Sequence, residues 1–494
     1  MVSVRSRFGW AITAACLGLC IRSAQALIVY QGKVVPAWPA EAEAPAAKVS
    51  APAGQAAASP SASAVSAAAA APHYYPHPSG AVWGLTLLVD FSDQSPAFTK
   101  EEINDWLNLK GFNRFSNQGS VRDYYAEASN GKVDFQNEVH GFYRAKNTKA
   151  YYEGGNGYQR AEELVAEILE HFDAEVDFSK FDNDKDGKVE AVSLVYAGSG
   201  VTFAQGLWPH AGSLNQKRDG VQLTRYMMTD LGKTFGLYVF CHECGHMLFG
   251  WPDLYGFGDY CLMGNRPNDI NPVMINDFYR ADQGWIGAVD IDKNTNAHYR
   301  ARANDTLGYR FVNPARPQEC FFWSNLKNQG RRAVLKGRGL MVLHFDKDIG
   351  ANNPPKPLGL AVVQADGKRQ LDTAQWPSPG SDALDYFSAS NGAKFGATTV
   401  PAANWNNGTA SGLNLYDIGS ALDSMDFYVG TGAVAVQAPR PTRLPSAAFE
   451  AGREPSPGIS VGADGARIRP ARIGAKRAVR AVFPESRPPE GRLP

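Results

Sequence analysis

Charge of one sign is missing from this chain. Forty-nine Lys and Arg stand against 49 Asp and Glu among 494 residues. The formal net charge is zero, so no overall field draws the protein to nucleic acid or to an anionic membrane. Long apolar runs are missing too. After the N-terminal stretch nothing approaches the length of a membrane span. Cysteine is scarce, with six in the whole sequence, which excludes a small disulfide-stapled scaffold. No repeat of solenoid type is present.

What is there begins with a targeting segment. Arg5 and Arg7 give a positive start, residues 8–21 are apolar except Thr13, and Ala24-Gln25-Ala26 supplies small residues for cleavage before Leu27. Leu19 is bulky where a lipoprotein signal has a small residue, so Cys20 is not expected to carry a lipid anchor. Residues 1–26 are therefore read as a signal peptide. The mature protein is expected to be exported, either extracellular or periplasmic, with no stable membrane insertion. Cys16 and Cys20 leave with the signal, and Cys241, Cys244, Cys261 and Cys320 remain. Outside the cytoplasm an even count suggests disulfides. A bond from Cys261 to Cys241 or Cys244 is one expectation; four small buried hydrophobes is the other.

Residues 27–79 are rich in Ala, Pro and Ser. They bury too little apolar surface to offset ordering, and read as a disordered linker or pro-segment. Residues 431–494 hold ten Arg and one Lys against four Glu and one Asp, a net of six positive charges. They read as a disordered basic tail.

Between these ends the apolar pattern alternates strand with helix. Residues 83–91 (WGLTLLVDF), 133–139 and 191–197 (AVSLVYA) have the length and content of buried strands. Residues 101–109 fit a short helix, and 120–129 fit another behind a Ser120 N-cap. Residues 158–172 carry a helical stripe of Ala161, Leu164, Val165, Ile168, Leu169 and Phe172. Strands alternating with helices predict a mixed α/β sheet. From about residue 299 helical stripes become scarce. Short strand-like runs follow at 309–312, 320–323, 340–345, 360–364, 413–418 and 425–429, which predict an all-β, sandwich-like module. The expected division is a catalytic region at 80–295 and a β-sandwich-like region at 296–430, an α/β (α+β) arrangement.

The chemistry is concentrated in residues 241–255, CHECGHMLFGWPDLY. His242 and His246 are four apart, hence on one face of a helix and one turn from each other. Two imidazoles so placed can close on one metal ion, and Glu243 beside them can take a proton from a water on that metal. Phe235, Leu237, Val239, Phe240, Met247, Leu248 and Phe249 make the segment apolar nearly all round, which predicts a buried helix. A surface helix with two solvated His would be polar. Gly250 can end the helix and Pro252 prevents its resumption. Asp253 then falls where it could return to the metal as a third ligand, leaving a fourth position for water. A closed structural site built on Cys241 and Cys244 lacks the second ligand pair it would need.

Two further constellations stand out. Asp182, Asp184 and Asp186 alternate before Gly187, like the first half of an EF-hand-type calcium loop. Ser193 stands where that loop has its bidentate Glu, and Glu190 or Asp177 could substitute; a plain acidic turn is the alternative. In residues 258–264 (GDYCLMG), Met263 is either an apolar floor beneath the metal or an ordinary core Met. His210, Tyr255 and Tyr260 are candidate donors to an oxyanion, although a lone His such as His210 is more often structural.

Taken together these blocks resemble the immune-inhibitor-A-like family of secreted bacterial metallopeptidases. The resemblance runs from SVRDYYAEASNGKVDF (residues 120–135) through FDNDKDGKVEAVSLVYAGSG (181–200), LWPH, HECGHMLFGWPDLY and GDYCLMG. It continues into GRGLMVLHFD (337–346), VVQADG (362–367) and PGSDALDYF (379–387). It implies a zinc endopeptidase with a metzincin-like catalytic domain followed by a β-rich domain. His242, His246 and Asp253 match the zinc ligands, Glu243 the catalytic base and Met263 the methionine turn. The acidic run at 182–186 matches a calcium-loop-like segment. Two departures accompany it. Gly250 and Asp253 stand one residue further from His246 than is usual, with Asp259 in reserve, and Ser324-Asn325-Leu326 replaces an acidic residue followed by Asn-Arg. The expected activity is hydrolysis of protein or peptide substrates by a zinc-activated water, with Zn2+ and a structural Ca2+ as cofactors and a monomer as the working form. A zinc hydrolase of another bond class, or a non-catalytic surface-binding protein with a vestigial metal site, are the alternatives.

Overall fold

A sheet of parallel strands has to be built from crossovers, and here the crossovers are the helices the pattern marked. The computed structural model describes residues 28–30, 33–35, 74–154, 158–200, 206–232, 235–304, 306–350, 358–373 and 379–431. The expected signal peptide, most of the Ala/Pro/Ser segment and all but the first residue of the basic tail lie outside them. Strands β1 (Ile28–Tyr30) and β2 (Lys33–Val35) form an antiparallel pair. The apolar run at 83–91 is the core of β3 (Gly80–Asp90). Helices α1 (Lys100–Asn108) and α2 (Val121–Ala128) then cross to β4 (Val133–Arg144), which pairs parallel with β3. Helices α3 (Lys149–Glu153) and α4 (Gln159–Phe172) cross back. They lead to a two-residue β5 (Lys188–Val189) and to β6 (Val192–Ala197), on the other side of β3. Strand β7 (His210–Arg218) turns into β8 (Val221–Leu231), which lies parallel to β6. The order is β2-β1-β7-β8-β6-β3-β4, with β5 on β8, so the sheet is mixed.

Local sequence explains the helix starts. Thr99 and Glu102 close a capping box on α1, and Ser120 and Asp123 close another on α2. Such a cap contributes about 1 kcal/mol. Each buried Leu, Ile, Val or Phe contributes about 1.5–3 kcal/mol. Packing therefore outweighs capping in placing the helices. Leu85, Leu87 and Val89 of β3 share one core with the α4 stripe. Val82 and Leu88 share the other with α1, α2 and the helix of His242. Both faces of the sheet are covered, which is why its central strands read as unbroken apolar runs.

After α5 (Leu237–Phe249) and α6 (Asp277–Asp282) the chain becomes β-rich. Strands β9 (Gly287–Asp290), β10 (Asn296–Arg302), β11 (Leu307–Val312), β12 (Glu319–Leu326) and β13 (Gly339–Asp346) come first. Strands β14 (Leu360–Val363), β15 (Asn414–Tyr416) and β16 (Ser424–Gly430) follow. They form a five-stranded sheet, β14-β13-β12-β11-β9, and a three-stranded sheet, β10-β16-β15. Alternation along β12 and β13 divides the five-stranded sheet between two cores. Phe321, Trp323, Leu340 and Val342 pack with Leu415, Phe427 and Val429 of the three-stranded sheet. Cys320, Phe322, Met341, Leu343 and Phe345 belong to the core that encloses α5. Both faces of β12 and β13 are thus covered.

Among the described residues no helix is long and apolar enough to cross a membrane. The expected disulfide does not form. Cys241, Cys244, Cys261 and Cys320 are all free and buried. Cys244 lies 3.5 Å from the Met227 sulfur. The Cys261 sulfur instead accepts from the Met263 N–H and from Asn276 Nδ2. The four cysteines act as small core side chains.

Candidate metal centre and active site

Helix α5 is buried along almost its whole length, as its composition demands. Gly250 ends it in the left-handed conformation, φ 63° and ψ 17°, which residues with a Cβ adopt at a cost. The Trp251 N–H bonds back to the Gly245 carbonyl at 3.2 Å. This turn swings Trp251 and Asp253 over the helix.

The two histidines are oriented by backbone. Nδ1 of His242 lies 3.0 Å from the Leu262 carbonyl, and Nδ1 of His246 lies 2.6 Å from the Trp251 carbonyl. A carbonyl only accepts, so each Nδ1 is the donor, and in a neutral ring this leaves Nε2 as the acceptor. Those two Nε2 atoms are 3.1 Å apart. Asp253 Oδ1 is 3.1 Å from the first and 3.4 Å from the second. Two imidazole Nε2 atoms and a carboxylate oxygen therefore converge on one point. Donors about 2.05 Å from a tetrahedral zinc are about 3.3 Å from each other. The triangle has that size, and its donor set is one that zinc takes. Burial disfavours the charged form of Asp253, but the charges and hydrogen bonds of His246 and His242 outweigh it and hold the carboxyl at about 2. Its other oxygen accepts from the Tyr255 hydroxyl at 2.6 Å.

Met263 packs against α5 at Gly245. A Cβ on Gly245 would meet its sulfur at 2.7 Å and the Trp251 ring at 3.2 Å, so a larger residue at that point of α5 would have to displace the Met263 side chain. The Leu254 N–H donates to the Met263 carbonyl at 2.7 Å, tying the Asp253 segment to this turn. Tyr238, four residues before His242 on the same face, donates to the Gly264 carbonyl and closes the wall beside the ring.

Glu243 is 1% exposed, and its Oε2 has no hydrogen-bond partner among the described residues. Burial pushes its carboxyl up to about 8; His242 opposes the shift and Asp253 adds to it.

Other expected residues are committed elsewhere. His210 is fully buried, with Nδ1 on the Trp208 carbonyl at 2.8 Å and Nε2 on the Tyr226 hydroxyl at 2.9 Å. Burial lowers it to about 4, so it stays neutral. Tyr260 donates to Asp385 Oδ2 at 2.6 Å. Asp259 accepts from the Ser381 N–H at 2.9 Å and Asn265 Nδ2 at 3.0 Å, and is not one of the carboxylates in the histidine cluster.

The acidic loop is a separate cluster. One carboxylate oxygen each from Asp182, Asp184 and Asp186 lie within 4.8 Å of one another. Gly187, at φ 86°, allows the sharp turn, and its N–H donates to Asp182 at 3.0 Å. Glu190 is pushed up to about 8, first by burial and then by the charges of Asp184 and Asp186. Asp177 instead caps the turn at Phe178–Phe181 and accepts from Ser179.

Sequence reasoning missed Tyr238 and Tyr158. Tyr238 could have been found from its i−4 spacing to His242. Tyr158 opens α4, distant in sequence from the histidines, and no local pattern marks it. No protein-family model matches this chain, and comparison with curated proteins finds no significant match.

Proposed function

We propose that this protein is an exported zinc-dependent endopeptidase with a metzincin-like catalytic region, of the immune-inhibitor-A-like kind. One observation carries the reading. His242 Nε2, His246 Nε2 and Asp253 Oδ1 form a triangle of 3.1–3.4 Å. The buried, unpartnered carboxylate oxygen of Glu243 belongs to the same helix.

His242, His246 and Asp253 would hold the zinc ion. Zinc bound there supplies a Lewis acid for a water and for a substrate carbonyl. Glu243 accepts the proton that the water loses as it attacks, and returns it to the amine that leaves. The neighbouring positive charge that the triangle is suited to hold favours the carboxylate form of Glu243. The carbonyls of Leu262 and Trp251 keep both imidazoles in the ligand tautomer. The acidic loop at Asp182, Asp184 and Asp186 is proposed as a structural calcium site, with Glu190 as a further candidate ligand.

The test is digestion of casein with and without a chelator, paired with metal analysis. The parent should carry stoichiometric zinc and lose activity when zinc is stripped. Glu243→Gln should keep the metal and lose turnover by roughly 10²–10⁴-fold. A Glu243→Gln variant that digests casein at the parent rate overturns the mechanism.

A further inference from the structure

The proposed reaction leaves one requirement unmet. The carbonyl oxygen under attack gains negative charge, and a donor is needed where that charge develops. Each obvious candidate is occupied. The Tyr255 hydroxyl is bonded to Asp253, Tyr260 to Asp385, and both nitrogens of His210 to Trp208 and Tyr226. Tyr238 donates to the Gly264 carbonyl.

Tyr158 is different. Its ring packs on Trp208 at 4.6 Å and on His210 at 5.3 Å, centroid to centroid. That places it against the start of β7, the strand on which α5 packs. Its hydroxyl oxygen is buried and has no hydrogen-bond partner among the described residues. A buried phenol without a partner forgoes about 1–3 kcal/mol, so such a group is expected where a ligand completes it. We propose that the Tyr158 hydroxyl is a catalytic hydrogen-bond donor to the scissile carbonyl oxygen, stabilising the oxyanion of the tetrahedral intermediate; this rests on the endopeptidase reading above.

Two further observations agree. Burial, then the charges of Glu243 and Asp253, raise the Tyr158 hydroxyl above its ordinary value. The phenol thus keeps its proton through the neutral and alkaline range, and it lies within electrostatic reach of the proposed base and of one proposed ligand. Second, Glu243 Oε2 and the Tyr158 hydroxyl oxygen are both buried and both without a hydrogen-bond partner among the described residues. One is an acceptor for a water proton and the other a donor for a carbonyl. They do not bond to each other, so they stand further apart than a hydrogen bond. A reacting centre needs donor and base separated in that way. No bond to Tyr158 forms or breaks. Its O–H hydrogen bond shortens onto the oxyanion and relaxes when the amine leaves.

The experiment compares full-length Tyr158→Phe and Tyr158→Ala with the parent on a fluorogenic peptide derived from casein. Zinc content and melting temperature are measured on each. Binding of a phosphinic peptide, which imitates the tetrahedral oxyanion, is measured by calorimetry. Tyr158→Phe keeps the ring contacts with Trp208 and His210. It should retain zinc, melting temperature and KM, while kcat falls roughly 10²-fold and phosphinic peptide affinity falls by a similar factor. A ring that served only packing would leave Tyr158→Phe at the parent rate and affinity and impair only Tyr158→Ala; that outcome overturns the proposal. A zinc-loaded parent that cleaves nothing and ignores the phosphinic peptide overturns the endopeptidase reading itself, and the two failures are told apart by the parent alone.

Discussion

The Tyr255 hydroxyl donates to Asp253 Oδ2 at 2.6 Å, while Asp253 Oδ1 faces the two histidines. Only Leu254 separates the pair, yet the bond decides which carboxylate oxygen is left for a metal. It also fixes the rotamer of the one proposed ligand that does not sit on a helix.

Partners of this sort typically change metal affinity by about 10–100-fold. Tyr255→Phe is expected to weaken zinc binding by that factor in a chelator competition, with the fold intact by circular dichroism. Affinity equal to the parent would mean that Asp253 is held by something else, or is not a ligand.

Asp385 gives a pH dependence with a definite sign. It is fully buried, and burial lifts its carboxyl from an ordinary Asp value to about 6, with Asp382 and Asp366 adding to the shift. The folded chain then holds a proton that the unfolded chain has already released near pH 4. Stability from this group is present below pH ~4 and is lost as pH rises to ~6, by roughly 1–3 kcal/mol. Asp385→Asn keeps an oxygen to accept from Tyr260 and from the Asp382 N–H. The variant should match the parent at pH 4 and exceed it at pH 7 in denaturant unfolding. A difference that does not change between those pH values would rule the account out.

The four thiols are buried and unbonded, and burial pushes Cys241, Cys244, Cys261 and Cys320 up in pKa. Chain beginning at Leu27 should show no thiol reactive to Ellman's reagent when folded. All four should react after unfolding without reductant. A missing pair in the unfolded sample would reveal a disulfide.

Calcium at the acidic loop predicts a stability effect and no catalytic one. Millimolar calcium should raise the melting temperature of the parent by several degrees, as binding to the folded state alone requires. Asp182→Asn combined with Asp184→Asn should abolish the rise and leave zinc content unchanged. A parent indifferent to calcium would leave the loop an ordinary acidic turn.

Much of this was open to inspection in the chain itself. The i, i+4 spacing of His242 and His246 places them on one helix face whatever surrounds them. Apolar residues on every side of that helix require burial, and Gly250 with Pro252 sets its end. Capping residues Thr99 and Ser120 and the stripe of α4 act over one or two turns, and local reach is all that a linear pattern can encode. The unbroken apolar runs of β3 and β6 marked strands covered on both faces. What tertiary packing alone decided depends on atoms distant in sequence. The carbonyls of Leu262 and Trp251 choose the histidine tautomers. The bare α-carbon of Gly245 admits the Met263 sulfur. His210 and Tyr260, plausible as donors by residue type, are claimed by Tyr226 and Asp385. Tyr158, carrying no signal of its own, is left as the open hydroxyl. Cysteine pairing belongs to the same class, because whether two sulfurs meet depends on where the folded elements point them. Spacing along a chain determines neighbours within an element; the direction of a side chain's last polar atom is settled only when the elements pack.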